Sequence, residues 1–61
     1  MNNLRKRRKE MGLSQVELSI KGKIPFHIVQ RYETSPPRKA IKYALQLSKA
    51  LEADIEYLFH Q

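Results

Sequence analysis

Cysteine and tryptophan are absent from the 61 residues, and glycine occurs only twice, at Gly12 and Gly22. Without thiols there is no disulfide and no thiolate metal centre, so packing alone must hold whatever core forms. Two isolated glycines cannot build a glycine-rich loop around a phosphate, and no G-x-S-x-G nucleophile motif occurs. The two histidines, His27 and His60, have no partners at metal-ligand spacing. No apolar run approaches the roughly 20 residues of a membrane span, and no signal-like apolar segment follows the basic start. These absences point away from an enzyme: no catalytic constellation, metal, cofactor or small-molecule ligand is evident. The expectation is a soluble, cytoplasmic chain of one domain, 1–61. A chain of this size buries only about 60% of its unfolded surface, which leaves no room for a deep cleft.

Positive charge is present in excess. Lys and Arg number 12 against 6 Asp and Glu, net +6, with an isoelectric point near 10.0. Residues 1–42 hold eleven basic and three acidic residues, net +8, whereas residues 43–61 hold Lys49 against Glu52, Asp54 and Glu56, net −2. Such a one-sided field favours an anionic partner, a polyphosphate or an anionic lipid surface. The run Arg5 to Lys9 would also suit targeting or a membrane-surface face, but its segment has few apolar anchors.

The pattern reads as helices throughout. "NNLRKRRKEM" is rich in helix formers, with Asn2 or Asn3 as N-cap and Leu4, Arg8 and Met11 on one face; Gly12 supplies the stop, giving a helix over about 3–10. Ser14 followed by Glu17 is the capping-box spacing and starts a second helix at Gln15, running to about Lys21. Gly22-Lys23 is then expected to make the tight turn, because glycine reaches positive φ at little cost. Pro25 suits a helix start, and Phe26 to Glu33 puts Val29 and Tyr32 on one face, with Phe26, His27, Gln30 and Arg31 elsewhere. "TSPPRK" is a loop by composition. Ile41, Ala44, Leu45, Leu47, Ser48 and Leu51 mark a fourth helix, and Asp54 is the expected cap of a last short one carrying Ile55, Leu58 and Phe59.

Several of these stretches resemble the Cro and phage-repressor type of helix-turn-helix domain, the Xre-like family. They are "GLSQVEL" opening the second helix, "IP" before the third, "RYE", "LQLSKAL" and "DIEYLF". Each is weak alone, but together they run without a gap from Leu4 to Phe59. The resemblance implies an all-α, five-helix lambda-repressor-like fold with the motif over about 15–33. It also implies a sequence-specific double-stranded DNA-binding transcriptional regulator, a repressor of bacterial, phage or mobile-element type.

In that arrangement the first helix of the pair crosses the DNA backbone and the second lies in the major groove, its N-terminal residues at base edges. The base-reading set implied here is Phe26, His27, Gln30 and Arg31, with Ile28 beside them for a thymine methyl and Arg31 able to hold guanine O6 and N7 together. Gln15 stands where the family contacts a phosphate, and Lys23, Arg38, Lys39 and Lys42 are further phosphate candidates. Arg8 and Glu33 occupy positions of a structural ion pair beneath the motif. A homodimer on DNA is implied, with Tyr57, Leu58 and Phe59 as its candidate surface; the same residues fit plain core equally well, Leu58 and Phe59 most of all.

Departures from the family pattern concern turns. A leucine usually stands at Gly22 and a glycine at Lys23, so either the turn shifts by one residue or Lys23 takes a left-handed conformation at a cost of about 1–3 kcal/mol. A core side chain is then missing; Phe26 turning inward would fill the space and leave the reading face. Glu52 replaces a helix-ending glycine and Lys39 a proline. The competing class is a protein-interaction module, antitoxin-like or regulator-binding, that uses Tyr43, Tyr57 and Phe59. RNA binding is disfavoured because no aromatic stacking platform is evident.

Overall fold

The computed structural model describes residues 2–35 and 41–60, and for Ile41 the backbone alone. Five helices follow one another: α1 (Leu4–Glu10), α2 (Gln15–Gly22), α3 (Phe26–Thr34), α4 (Ile41–Leu51) and α5 (Ile55–Leu58), with no strand among the described residues. This is the expected all-α, lambda-repressor-like order. Of the stretch "TSPPRK", expected as a loop, Thr34 is the last residue of α3, and Pro36, Pro37, Arg38 and Lys39 lie outside the described residues.

Local chemistry explains where the helices begin. At α2 both halves of the capping box form: Glu17 N–H donates to Ser14 Oγ at 3.0 Å, and Ser14 N–H donates to Glu17 Oε1 at 2.8 Å. At α1, Asn3 holds the cap position without a side-chain cap bond, and Asn2 Oδ1 instead accepts from Leu4 N–H at 3.0 Å. Pro25 precedes α3 at φ −56°, close to the helical value that its ring enforces. Asp54 has the extended backbone of a cap, but its side chain makes no cap hydrogen bond, contrary to the role expected of it.

Three of the helices end alike. After α1, α2 and α4 a residue with positive φ reverses the chain: Gly12 at 71°, Lys23 at 56° and Glu52 at 51°. In each case the residue beyond it donates back to a carbonyl five positions earlier: Leu13 to Arg8 at 3.1 Å, Ile24 to Ser19 at 2.9 Å, Ala53 to Ser48 at 3.2 Å. This is the Schellman motif, which normally takes glycine at the left-handed position. Gly22 therefore does not make the turn expected of it; it is the last residue of α2, and Lys23 carries the positive φ.

Packing accounts for the exchange. A Cβ built at Gly22 would lie 2.9 Å from Ile24 Cδ1 and 3.7 Å from Ala50 Cβ. Glycine is needed there so that Ile24 can lie against α2, and Ile24, only 5% exposed, thus occupies the space that the missing leucine would leave. Phe26 does not turn inward to fill it and stays 41% exposed.

The core is built from Leu4, Leu18, Val29, Leu47, Leu51 and Leu58, all fully buried, with Ile24, Tyr32 and Ala50 around them. Each such leucine is worth about 1.5–3 kcal/mol relative to exposure. Leu58, a candidate both for the dimer surface and for plain core, belongs to the core, and the residue before α1 is tied to α5 there: Asn3 N–H donates to Leu58 O at 2.9 Å and Asn3 Nδ2 to Tyr57 O at 2.9 Å. Leu45, expected on the buried side of α4, is instead 47% exposed. Arg7 Nε donates to Leu51 O at 2.8 Å and so ties α1 to the C-terminal end of α4, where orphan carbonyls need donors.

Candidate nucleic-acid interface

Nine residues of α3 divide into two faces. Val29, Tyr32 and Glu33 are buried, while Phe26, His27, Gln30 and Arg31 are exposed. Helical spacing puts 29, 32 and 33 on one side and 27, 30 and 31 on the other; Phe26, three residues before Val29 and four before Gln30, stands at the border between them at the open first position of the helix. Ile28 lies between them, half-buried against the core, so it recedes from the face on which it was expected to stand.

Beneath the exposed face lies a polar junction. Arg8 Nε meets Glu33 Oε2 at 2.5 Å and Nη2 meets Oε1 at 3.5 Å, with the two residues only 8% and 6% exposed. Arg8 Nη1 donates to Leu13 O at 2.7 Å, and Gln15 Nε2 donates to Glu33 Oε1 at 3.1 Å. One carboxylate therefore takes donors from α1 and from the first residue of α2 while itself sitting on α3. That arrangement fixes the three elements relative to one another, and it keeps the buried charge hydrogen-bonded on both oxygens. Gln15, a phosphate candidate by sequence, commits one of its two amide N–H donors to Glu33, and the second makes no hydrogen bond within the described residues.

Above this junction is an open depression of about 520 Å³, lined by Arg5 and Arg8 of α1, Ser14 and Gln15 at the start of α2, and Gln30, Glu33 and Thr34 of α3. Arg5 and Gln30, one of the exposed residues of α3, both line it. Sequence reasoning missed Arg5, since a run of five basic residues gives no sign of which one faces the pair of helices. Lys23 and Lys42 are both exposed. Burial raises the Tyr32 phenol above its ordinary 10.0, against the pull of the nearby Arg31 charge. Hydrogen bonds from the Ser14 backbone and hydroxyl hold the Glu17 carboxyl below its ordinary value. No cluster of His, Cys, Asp or Glu able to hold a metal occurs among the described residues.

The helix-turn-helix family model matches residues 4–58, nearly the whole chain. The chain belongs to the helix-turn-helix family. No curated protein and no solved structure gives a significant match. The helix-turn-helix consists of α2, the turn at Lys23 and α3, and the family places the chain among DNA-binding regulators of the Cro and Xre-like type. No helix among the described residues is long and apolar enough to cross a membrane.

At the other end of the helix-turn-helix domain, the proposed dimer surface is reduced. Tyr57 is 40% exposed, Leu58 is buried, and Phe59 is half-buried with its ring edge-on to Tyr32 at 6.1 Å. Tyr43 is likewise packed against the core. Of the aromatic surface on which a protein-interaction module would rely, Tyr57 alone stands well out.

Proposed function

We propose that the chain reads double-stranded DNA by laying the outer face of α3 in the major groove and acts as a cytoplasmic transcriptional repressor. The observation that carries this reading is the exposed set Phe26, His27, Gln30 and Arg31, held rigidly over a buried Val29, Tyr32 and Glu33. Arg31 is assigned to a guanine, where its forked donors match O6 and N7, and Gln30 to the adjacent base edges. His27, as donor or acceptor, shares the groove face.

Phosphate contacts are assigned to Arg5, Lys23 and Lys42, with Gln15 contributing through its remaining amide N–H at the N-terminus of α2, and with Arg38 and Lys39, which lie outside the described residues, on the strength of the family resemblance. These contacts set register and carry no sequence information. One domain covers few base pairs, so two copies are expected on one operator, with half-sites about 34 Å apart, meeting around Tyr57 and the exposed edge of Phe59.

The test is selection from random duplex pools at physiological salt, followed by salt titration of the selected duplex. An enriched two-fold symmetric motif is the expected result. A steep salt dependence with no enriched motif would overturn sequence reading while leaving DNA binding intact. No binding to any duplex would favour the protein-interaction reading.

A further inference from the structure

Phe26 is the one residue of the outer α3 face that can neither donate nor accept a hydrogen bond. Its exposure is a product of the fold rather than of a lack of somewhere to go. The space beside Gly22 is taken by Ile24, whose Cδ1 would stand 2.9 Å from any Cβ at position 22, so Phe26 is not needed to fill it. Phe26 is thereby left 41% exposed at the first position of the helix, next to His27 and one helical turn from Gln30. A large apolar ring set among polar groups on a basic surface offers contact area to an apolar counterpart.

The edges of base pairs in the major groove offer donors, acceptors and a single apolar feature, the methyl group on C5 of a pyrimidine. Ile28, the other apolar residue on this segment, is packed against the core and is not free to reach it. We propose that Phe26 is the specificity residue for a C5-methylated pyrimidine, thymine or 5-methylcytosine, at one position in each half-site. This rests on the reading of α3 as the groove helix. Arg31 and Gln30 then read hydrogen-bonding edges, and Phe26 reads the presence or absence of one carbon.

The experiment uses the full chain and the duplex obtained by selection. Each thymine is replaced in turn by deoxyuridine, which removes the methyl and leaves every hydrogen-bonding group in place. At one position per half-site affinity is expected to fall about three- to tenfold, with no comparable change elsewhere. Phe26→Ala should bind thymine and uridine duplexes equally at that position, and Phe26→Leu should keep part of the difference. Equal thermal midpoints for the variants and the parent confirm that folding is not the cause. A parallel selection from CpG-methylated and unmethylated pools separates the two sources of the methyl: enrichment only in the methylated pool assigns 5-methylcytosine, and equal enrichment assigns thymine.

Two results overturn the proposal alone: uridine tolerated at every position, including any methylcytosine-to-cytosine exchange, or a thymine preference that survives Phe26→Ala undiminished. Failure of the selection to enrich any motif would instead overturn it together with the groove-reading function.

Discussion

The inner and outer faces of α3 share one backbone and opposite surroundings. On the inner face, Glu33 is 6% exposed and its carboxylate is satisfied by Arg8 and Gln15, so its energy is spent on holding α1, α2 and α3 together. On the outer face, Arg31, His27 and Gln30 are exposed and make no side-chain hydrogen bonds within the described residues, so their bonding capacity is left for a partner. The inner charge is a matter of stability and the outer one of recognition, although both belong to the same two turns of helix.

The largest expected effect breaks the inner face. Arg8→Ala leaves the buried Glu33 carboxylate without its cation and should destabilise the fold by about 3–5 kcal/mol, whereas replacing both residues by apolar side chains of similar size should cost far less. Urea unfolding of the two singles and the double mutant measures the coupling, and additive losses would mean that the pair does not act as a unit.

Next comes the outer face. Arg31→Ala should leave the thermal midpoint unchanged and weaken binding to the selected duplex by about 1–3 kcal/mol, with relaxed preference at one position. An equal loss on random duplexes would move Arg31 from reading to phosphate contact. Lys23→Gly, which removes a left-handed lysine from the turn between α2 and α3, should stabilise the fold by about 0.5–1 kcal/mol, the relief of strain being partly offset by the freer unfolded chain.

Smaller effects sharpen the comparison. Arg5→Ala should lower the slope of log affinity against log salt by about one unit on every duplex alike, with no change in sequence preference. A lost base preference instead would place Arg5 in the groove. Glu17 tests the start of α2 by pH. Its folded-state pKa lies below the ordinary 4.5, so its contribution is complete above the unfolded value and is lost as pH falls through the folded one. The stability gap between the parent and Glu17→Ala should accordingly be constant near neutrality and close on acidification; a gap independent of pH would mean that the hydroxyl half of the box does the capping alone.

What the sequence disclosed and what it concealed divide along the same physical line. The capping box at Ser14 and Glu17, the stop at Gly12 and the two-sidedness of α3 depend on residues within one or two turns of each other, and all were legible. The left-handed Lys23 was not settled, because the choice between it and Gly22 depends on Ile24 and on Ala50, twenty-eight residues further on. Leu58 was open to both the core and the dimer-surface reading, because nothing nearby shows that Asn3 will bond to its carbonyl. Leu45 fits the apolar rhythm of α4 and is exposed all the same, because periodicity marks a stripe without marking its width. Arg5 could not be singled out from its neighbours until α1 was laid beside α3. Local spacing thus reveals the elements, and the contacts between distant elements decide which side chains reach the candidate site.

Gln46 of α4 donates from Nε2 to both Gly22 O at 2.9 Å and Lys23 O at 3.1 Å. The elbow of the motif is thus gripped from outside by a helix that does not belong to it. A peptide excised as residues 15–33 would carry every letter of the motif and lose the hand that sets its angle. Grafting this reader onto another scaffold accordingly means transplanting Gln46 and the helix behind it as well.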